Sequence, residues 1–173
     1  DVAPERQRFS RLGASGPPTA AGRRLALELS EGLACRVCQQ LLNQLWSELD
    51  EPSMLSVDRW LSAGCSASVR KHLVRKGWQV GTEGCDGAGV NATDGATWCL
   101  VQRDVHGAVL RPELAEEYDP AKDAMMLACE RTLGANAARI TRFLVGQRNG
   151  TKAKERHERL TGEACKQAAC CRV

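Results

Sequence analysis

Nine cysteines in 173 residues constrain this chain more than any other feature. The sharpest clue among them is LACRVCQQLLNQLW, residues 33–46, where Cys35 and Cys38 lie one helical turn apart at the head of an apolar repeat. Three chemistries fit a C-x-x-C. A zinc site calls for a second C-x-x-C or a clustered histidine pair, whereas His72, His106 and His157 are isolated from one another. A thioredoxin-like redox centre calls for a strand that ends just before the motif, whereas a helix-compatible stretch from Arg23 leads into Cys35. The third chemistry makes the two cysteines separate disulfide anchors on one helical face, opposite a partner that supplies two cysteines of its own.

CKQAACC at the C-terminus offers such a partner in Cys165 with Cys170 or Cys171. Between antiparallel segments the pairing is nested, Cys38 with Cys165 and Cys35 with the later cysteine. Cys65 and Cys129 fall mid-face on two other helical segments and would bridge them. Cys85 and Cys99 bracket a Gly-rich excursion, a closure of about 15 residues that contributes around 3 kcal/mol in the chain-entropy model. One cysteine of the 170/171 pair is then left over, a candidate for a bridge to another chain. Sequence alone leaves many other pairings open.

Apolar periodicity divides the chain. Residues 1–22 are rich in Pro, Gly, Ser and Arg without period and are expected to form a flexible or extended arm. A single, mainly helical body is expected over 23–173. Its first helix runs from Arg23 to Asp50, with Cys38, Leu41, Leu42, Leu45 and Leu49 in one stripe. A second is expected from about Ser56 to Lys76, ended by Gly77. Residues 77–119 read as an insertion, with the strand-like pieces GWQV and TWCLVQ forming a hairpin or an irregular excursion. Asp119-Pro120 announces a third helix, and 152–171 a last one that depends on tertiary anchoring.

That arrangement resembles the saposin-like fold: four helices, a C-x-x-C on the first, one cysteine each on the second and third, and two at the end. Within it, CRVCQQLLNQLWSEL, WLSAGC, the long central insertion and MMLACERTLGANAARITRFL are similar to the canopy family of endoplasmic-reticulum proteins. The resemblance covers roughly residues 33–171. It implies an all-α, disulfide-stapled domain of four or five helices with an inserted hairpin or irregular segment. It also implies bridges from Cys35 to Cys171 or Cys170, Cys38 to Cys165, and Cys65 to Cys129. The Cys85/Cys99 pair and the spare terminal cysteine are extra to this pattern. Canopy proteins assist the folding and trafficking of receptors, so the resemblance implies a non-catalytic accessory or chaperone-like role.

Composition narrows the function classes. A cysteine content this high implies an oxidising compartment: the endoplasmic reticulum lumen, the secreted space or another lumenal one. The sequons Asn91-Ala92-Thr93 and Asn149-Gly150-Thr151 mark Asn91 and Asn149 as glycosylation candidates. A net charge of +3, mixed with 21 acidic residues, argues against nucleic acid. No apolar segment leads the sequence, and the longest apolar run, AMMLAC at 124–129, is far short of the roughly 20 residues of a membrane span, so a soluble domain is expected.

Contact with another protein or a multi-subunit complex is the expected mode of action. The alternative is a lipid surface, for which Arg70, Lys71, Arg75 and Lys76 could form a basic patch against anionic headgroups. Catalysis is not expected, because no GxSxG, HExxH or related context is present. Asp58, Glu83, Asp86 and Asp94 read as caps, turns and surface, and His72 as a helix-face residue. Neither cofactor nor metal is implied. Aromatics are only 4% of the chain, and Trp46 and Trp60 are expected in or at the edge of the core, with Trp78 and Trp98 stapling the insertion to the helices.

Overall fold

The structure, a computed structural model, describes residues 19–49, 53–87, 89–103, 119–146 and 153–168. Its organising element is α1 (Ala20–Glu48), capped by the Thr19 side chain, which accepts from the Gly22 amide at 3.0 Å. Apolar residues recur along it at three and four, and Leu29, Leu33, Val37, Cys38, Leu41, Leu42 and Leu45 are all essentially fully buried. At about 1.5 Å per residue the helix runs about 43 Å, long enough for several elements to pack along it.

α2 (Met54–Ser62) begins at a capping box, with Ser53 accepting from the Ser56 amide and the Ser56 hydroxyl returning to the Ser53 amide. The single helix expected over 56–76 is in fact broken. Gly64 at φ +87° turns the chain, and α3 (Cys65–His72) starts on a new axis before a 3-10 turn, Val74–Lys76. The periodicity of Val57, Leu61, Cys65 and Val69 survives across the break, so the pattern concealed it; the left-handed backbone at Gly64 is the cause.

The insertion corrects the all-α expectation. β1 (Trp78–Gly81), β2 (Val90–Asn91) and β3 (Thr97–Gln102) form an antiparallel sheet in the order β1-β3-β2. Trp78 faces Gln102 and Gly81 faces Cys99 across one pair, and Asn91 faces Thr97 across the other. Val80, Trp98 and Leu100 are buried. The two pieces read as strand-like are the long partners, while two-residue β2 carries too little pattern to be seen. Asp94 builds the β2–β3 turn, accepting from the Ala96 amide at 2.9 Å and from Trp98 Nε1 at 3.1 Å.

Asp119 caps α4 (Pro120–Cys129), accepting from the Ala121 amide at 2.9 Å. The third helix is not regular: a π-turn at Glu130–Gly134 separates α4 from α5 (Ala135–Gly146), and Asn136 inside α5 is non-helical. Thr132 donates to the Ala128 carbonyl, and Asn136 Nδ2 to that of Thr132 at 2.9 Å, satisfying groups the irregularity frees. α6 (Ala153–Gln167) closes the fold. α4 and α6 pack on α1, and α2 packs on α5. The arm apart from residues 19–22, His106, Asn149, Cys170 and Cys171 lie outside the described residues.

Gly32 explains how the sheet seats on α1. A Cβ there would overlap both Val90 methyls, so glycine lets β2 lie directly against the helix. Gly32→Ala should gain about 1 kcal/mol of helix propensity and lose about 1–3 kcal/mol to overpacking. The expected result is faster amide exchange in Val90–Trp98 with α1 protection retained.

Candidate functional site

Three disulfides join described residues. Cys38 and Cys165 (Cα–Cα 6.0 Å) tie α1 to α6, Cys65 and Cys129 (5.7 Å) tie α3 to the end of α4, and Cys85 and Cys99 (5.5 Å) close the insertion. Cys35 is also disulfide-bonded. The choice between Cys170 and Cys171 as its mate lies outside the described residues. Cysteine chemistry in this part of the chain is therefore structural cross-linking, and among the described residues no group of three His, Cys, Asp or Glu side chains is placed to hold a metal.

The α1–α6 contact is antiparallel. Beyond its disulfide, Trp46 Nε1 donates to Thr161 Oγ1 at 3.0 Å, and the Trp46 ring stacks on His157 with centroids 4.3 Å apart. The end of α1 is tied to α2 and α3 through Glu48. One carboxylate oxygen accepts from Trp60 Nε1 at 3.2 Å, and the other lies 2.8 Å from His72 Nδ1. Trp60 stacks on His72 at 4.6 Å. Rather than facing solvent from a helix surface, His72 is 4% exposed. Burial lowers its pKa below 6.5, with Lys71 and Lys76 acting in the same direction and Glu48 opposing.

Two concavities stand out among the described residues. One, of about 530 Å³, lies on the insertion and is lined by Arg36, Trp78, Glu83, Asp86 and Arg103 among others. Its charged wall is partly self-satisfied, Arg103 pairing with Glu83 at 3.3 Å. The other, of about 430 Å³, lies between α2 and α5 and is lined by Met54, Leu55, Asp58, Ala138, Thr141 and Arg142. Leu55 is 68% exposed and Met54 48%, large values for apolar side chains. Thr141 is only 2% exposed, and its hydroxyl is sealed from solvent and has no hydrogen-bond partner among the described residues. Among the described residues no ion pair joins Asp58 to Arg142, whose Nε donates instead to the Ala138 carbonyl at 3.3 Å.

Sequence reasoning took Asp58 for surface and missed the other five lining residues. A signal was present: Leu55 stands two residues before Val57, roughly 200° around the helix from the buried stripe. The proposed basic residues Arg70, Lys71, Arg75 and Lys76 are all exposed, and Lys76 hydrogen-bonds Gln44. Trp98 is buried, while Trp46, Trp60 and Trp78 are half-buried. Among the described residues no helix is long and apolar enough to cross a membrane.

The fold and its clasps thus define a mostly helical, disulfide-stapled domain with a small antiparallel sheet inserted. No protein-family model, curated protein or solved structure matches the chain.

Two outcomes test this architecture. Because His72 is buried neutral, the folded state binds fewer protons than the unfolded one. Stability should be fully present above about pH 6.5 and fall as pH drops through the lowered folded pKa. Melting temperatures between pH 7.5 and 5 should show a steeper loss for the native chain than for His72→Phe, which keeps an aromatic ring against Trp60. Replacing Cys38 and Cys165 together by Ala should cost about 2–5 kcal/mol in denaturant unfolding.

Proposed function

We propose that this chain is a non-catalytic interaction domain of an oxidising secretory or lumenal space, saposin-like in its helices and clasps and similar to canopy proteins. It acts as a folding or trafficking accessory, or as a structural accessory subunit of a larger assembly. The observation that carries this reading is the α2–α5 cleft. Its floor is apolar, and its rim holds one acidic and one basic side chain not paired with each other. The occupant we assign is a polypeptide segment with an apolar anchor, whose flanking charges meet Asp58 and Arg142. An acyl chain would fill the floor, yet it would set Asp58 against anionic headgroups. The nested disulfides support the compartment.

The exposed residues Arg70, Lys71, Arg75 and Lys76 favour lipid binding as the second reading. Both are tested on the full chain, using a fluorescent, reduced and permanently unfolded secretory protein as one probe. Phosphatidylcholine vesicles with and without phosphatidylserine are the other. The expected result is binding of the unfolded protein, weakened about tenfold or more by Leu55→Asp with an unchanged circular dichroism spectrum. Vesicle flotation that requires phosphatidylserine and disappears when the four basic residues become Gln would replace the first reading with the second. Absence of unfolded-protein binding by the native chain would remove the folding-accessory version, leaving stoichiometric co-purification to test the subunit version.

A further inference from the structure

The Asn91-Ala92-Thr93 sequon is built into the turn between β2 and β3, and the fold treats its two chemically relevant side chains in opposite ways. Thr93 is clamped by α1: its amide donates to Glu28 Oε1 at 2.9 Å and its hydroxyl to Glu28 Oε2 at 2.8 Å. Both bonds reach a carboxylate, the stronger kind of acceptor. Asn91 uses only Oδ1, which accepts from Thr97 Oγ1 at 2.9 Å across the strand pair. Its side chain is exposed, and among the described residues Nδ2, the atom that would carry a sugar, makes no hydrogen bond.

We propose that Asn91 is an N-glycosylation acceptor modified only before the β2–β3 turn docks on α1, and that the folded domain then carries the glycan without losing a contact. In the transfer, Nδ2 forms a bond to the anomeric carbon of a lipid-pyrophosphate-linked oligosaccharide. The carbon–oxygen bond to the pyrophosphate breaks, the lipid pyrophosphate leaves with that electron pair, and one amide proton is lost to a base of the transferase. No redox change is involved.

An acceptor sequon is recognised through its hydroxyl residue as well as its asparagine. In the folded chain that hydroxyl, and the amide of the same residue, are already held by Glu28. Docking also seats Val90 on Gly32, which fixes the turn against the helix and leaves little freedom to extend it. Once formed, a linkage at Nδ2 leaves the Thr97–Asn91 bond and both Glu28–Thr93 bonds in place. The turn is thus a substrate while the chain is unfolded and a stable carrier afterwards.

This inference takes its setting from the secretory or lumenal reading, but its test does not depend on that reading. Purified oligosaccharyltransferase and a lipid-linked oligosaccharide are offered four acceptors: the folded, oxidised full chain; the same chain reduced and unfolded; folded Glu28→Ala; and a blocked peptide of residues 86–96. Occupancy at Asn91 is read by glycopeptide mass spectrometry. The peptide and the unfolded chain should be modified at least about tenfold faster than the folded chain, with Glu28→Ala in between. Glycosylated chain, refolded oxidatively, should recover the Cys85–Cys99 bridge and the melting temperature of unmodified protein. Equal rates for folded and unfolded chain, no modification of peptide or unfolded chain, or failure of the glycosylated chain alone to refold would each overturn the proposal.

Discussion

The rest of the structure depends on the burial of α1. A 29-residue helix whose apolar stripe is sealed along most of its length cannot be covered by any one neighbour. α4, α6 and the sheet each take a share of it, so their positions are defined by α1 more than by one another. Burial by many partners is entropically demanding, because segments far apart in sequence must converge. The disulfides act on that term by removing freedom from the unfolded chain, and Cys38 places one of them on the buried face of α1 itself.

What could be read from the residues follows from this. The α1 stripe was legible from Cys38 to Leu49, where it repeats over about three turns, and so was the start of α4, where Asp119 and Pro120 each act locally. The Cys65/Cys129 and Cys38/Cys165 positions were legible because they occupy core-facing places on helices. Other features depend on conformation at single residues. Gly64 interrupts a helix whose apolar period continues undisturbed, and the π-turn after Cys129 adds a residue to a turn without changing which residues are apolar. β2 is too short for alternation to register. Leu55 was assigned no role because the second helix was expected to begin at about Ser56, which left it outside; only the tertiary structure puts it in α2, on a face that stays open beside α5.

Glu48 has a different kind of importance. It is the last residue of α1, and it holds two aromatic side chains from the two halves of the broken second helix, Trp60 from α2 and His72 from α3. The bend at Gly64 lets those two rings stack on each other beneath one carboxylate. A continuous helix would carry them along one axis at a fixed spacing of twelve residues. The break that hid from the sequence pattern is thus what assembles this junction.

The three described bridges are concentric: 85–99 lies within 65–129, which lies within 38–165. Every peptide bond between Cys38 and Cys165 is spanned by at least one of them, and those between Cys85 and Cys99 by all three. A protease that cuts once in this range creates new ends but releases no fragment. The two pieces remain one covalent molecule, and the buried face of α1 keeps its α6 neighbour. A single nick anywhere in this range therefore leaves one covalent molecule, and a fragment departs only after at least two cuts.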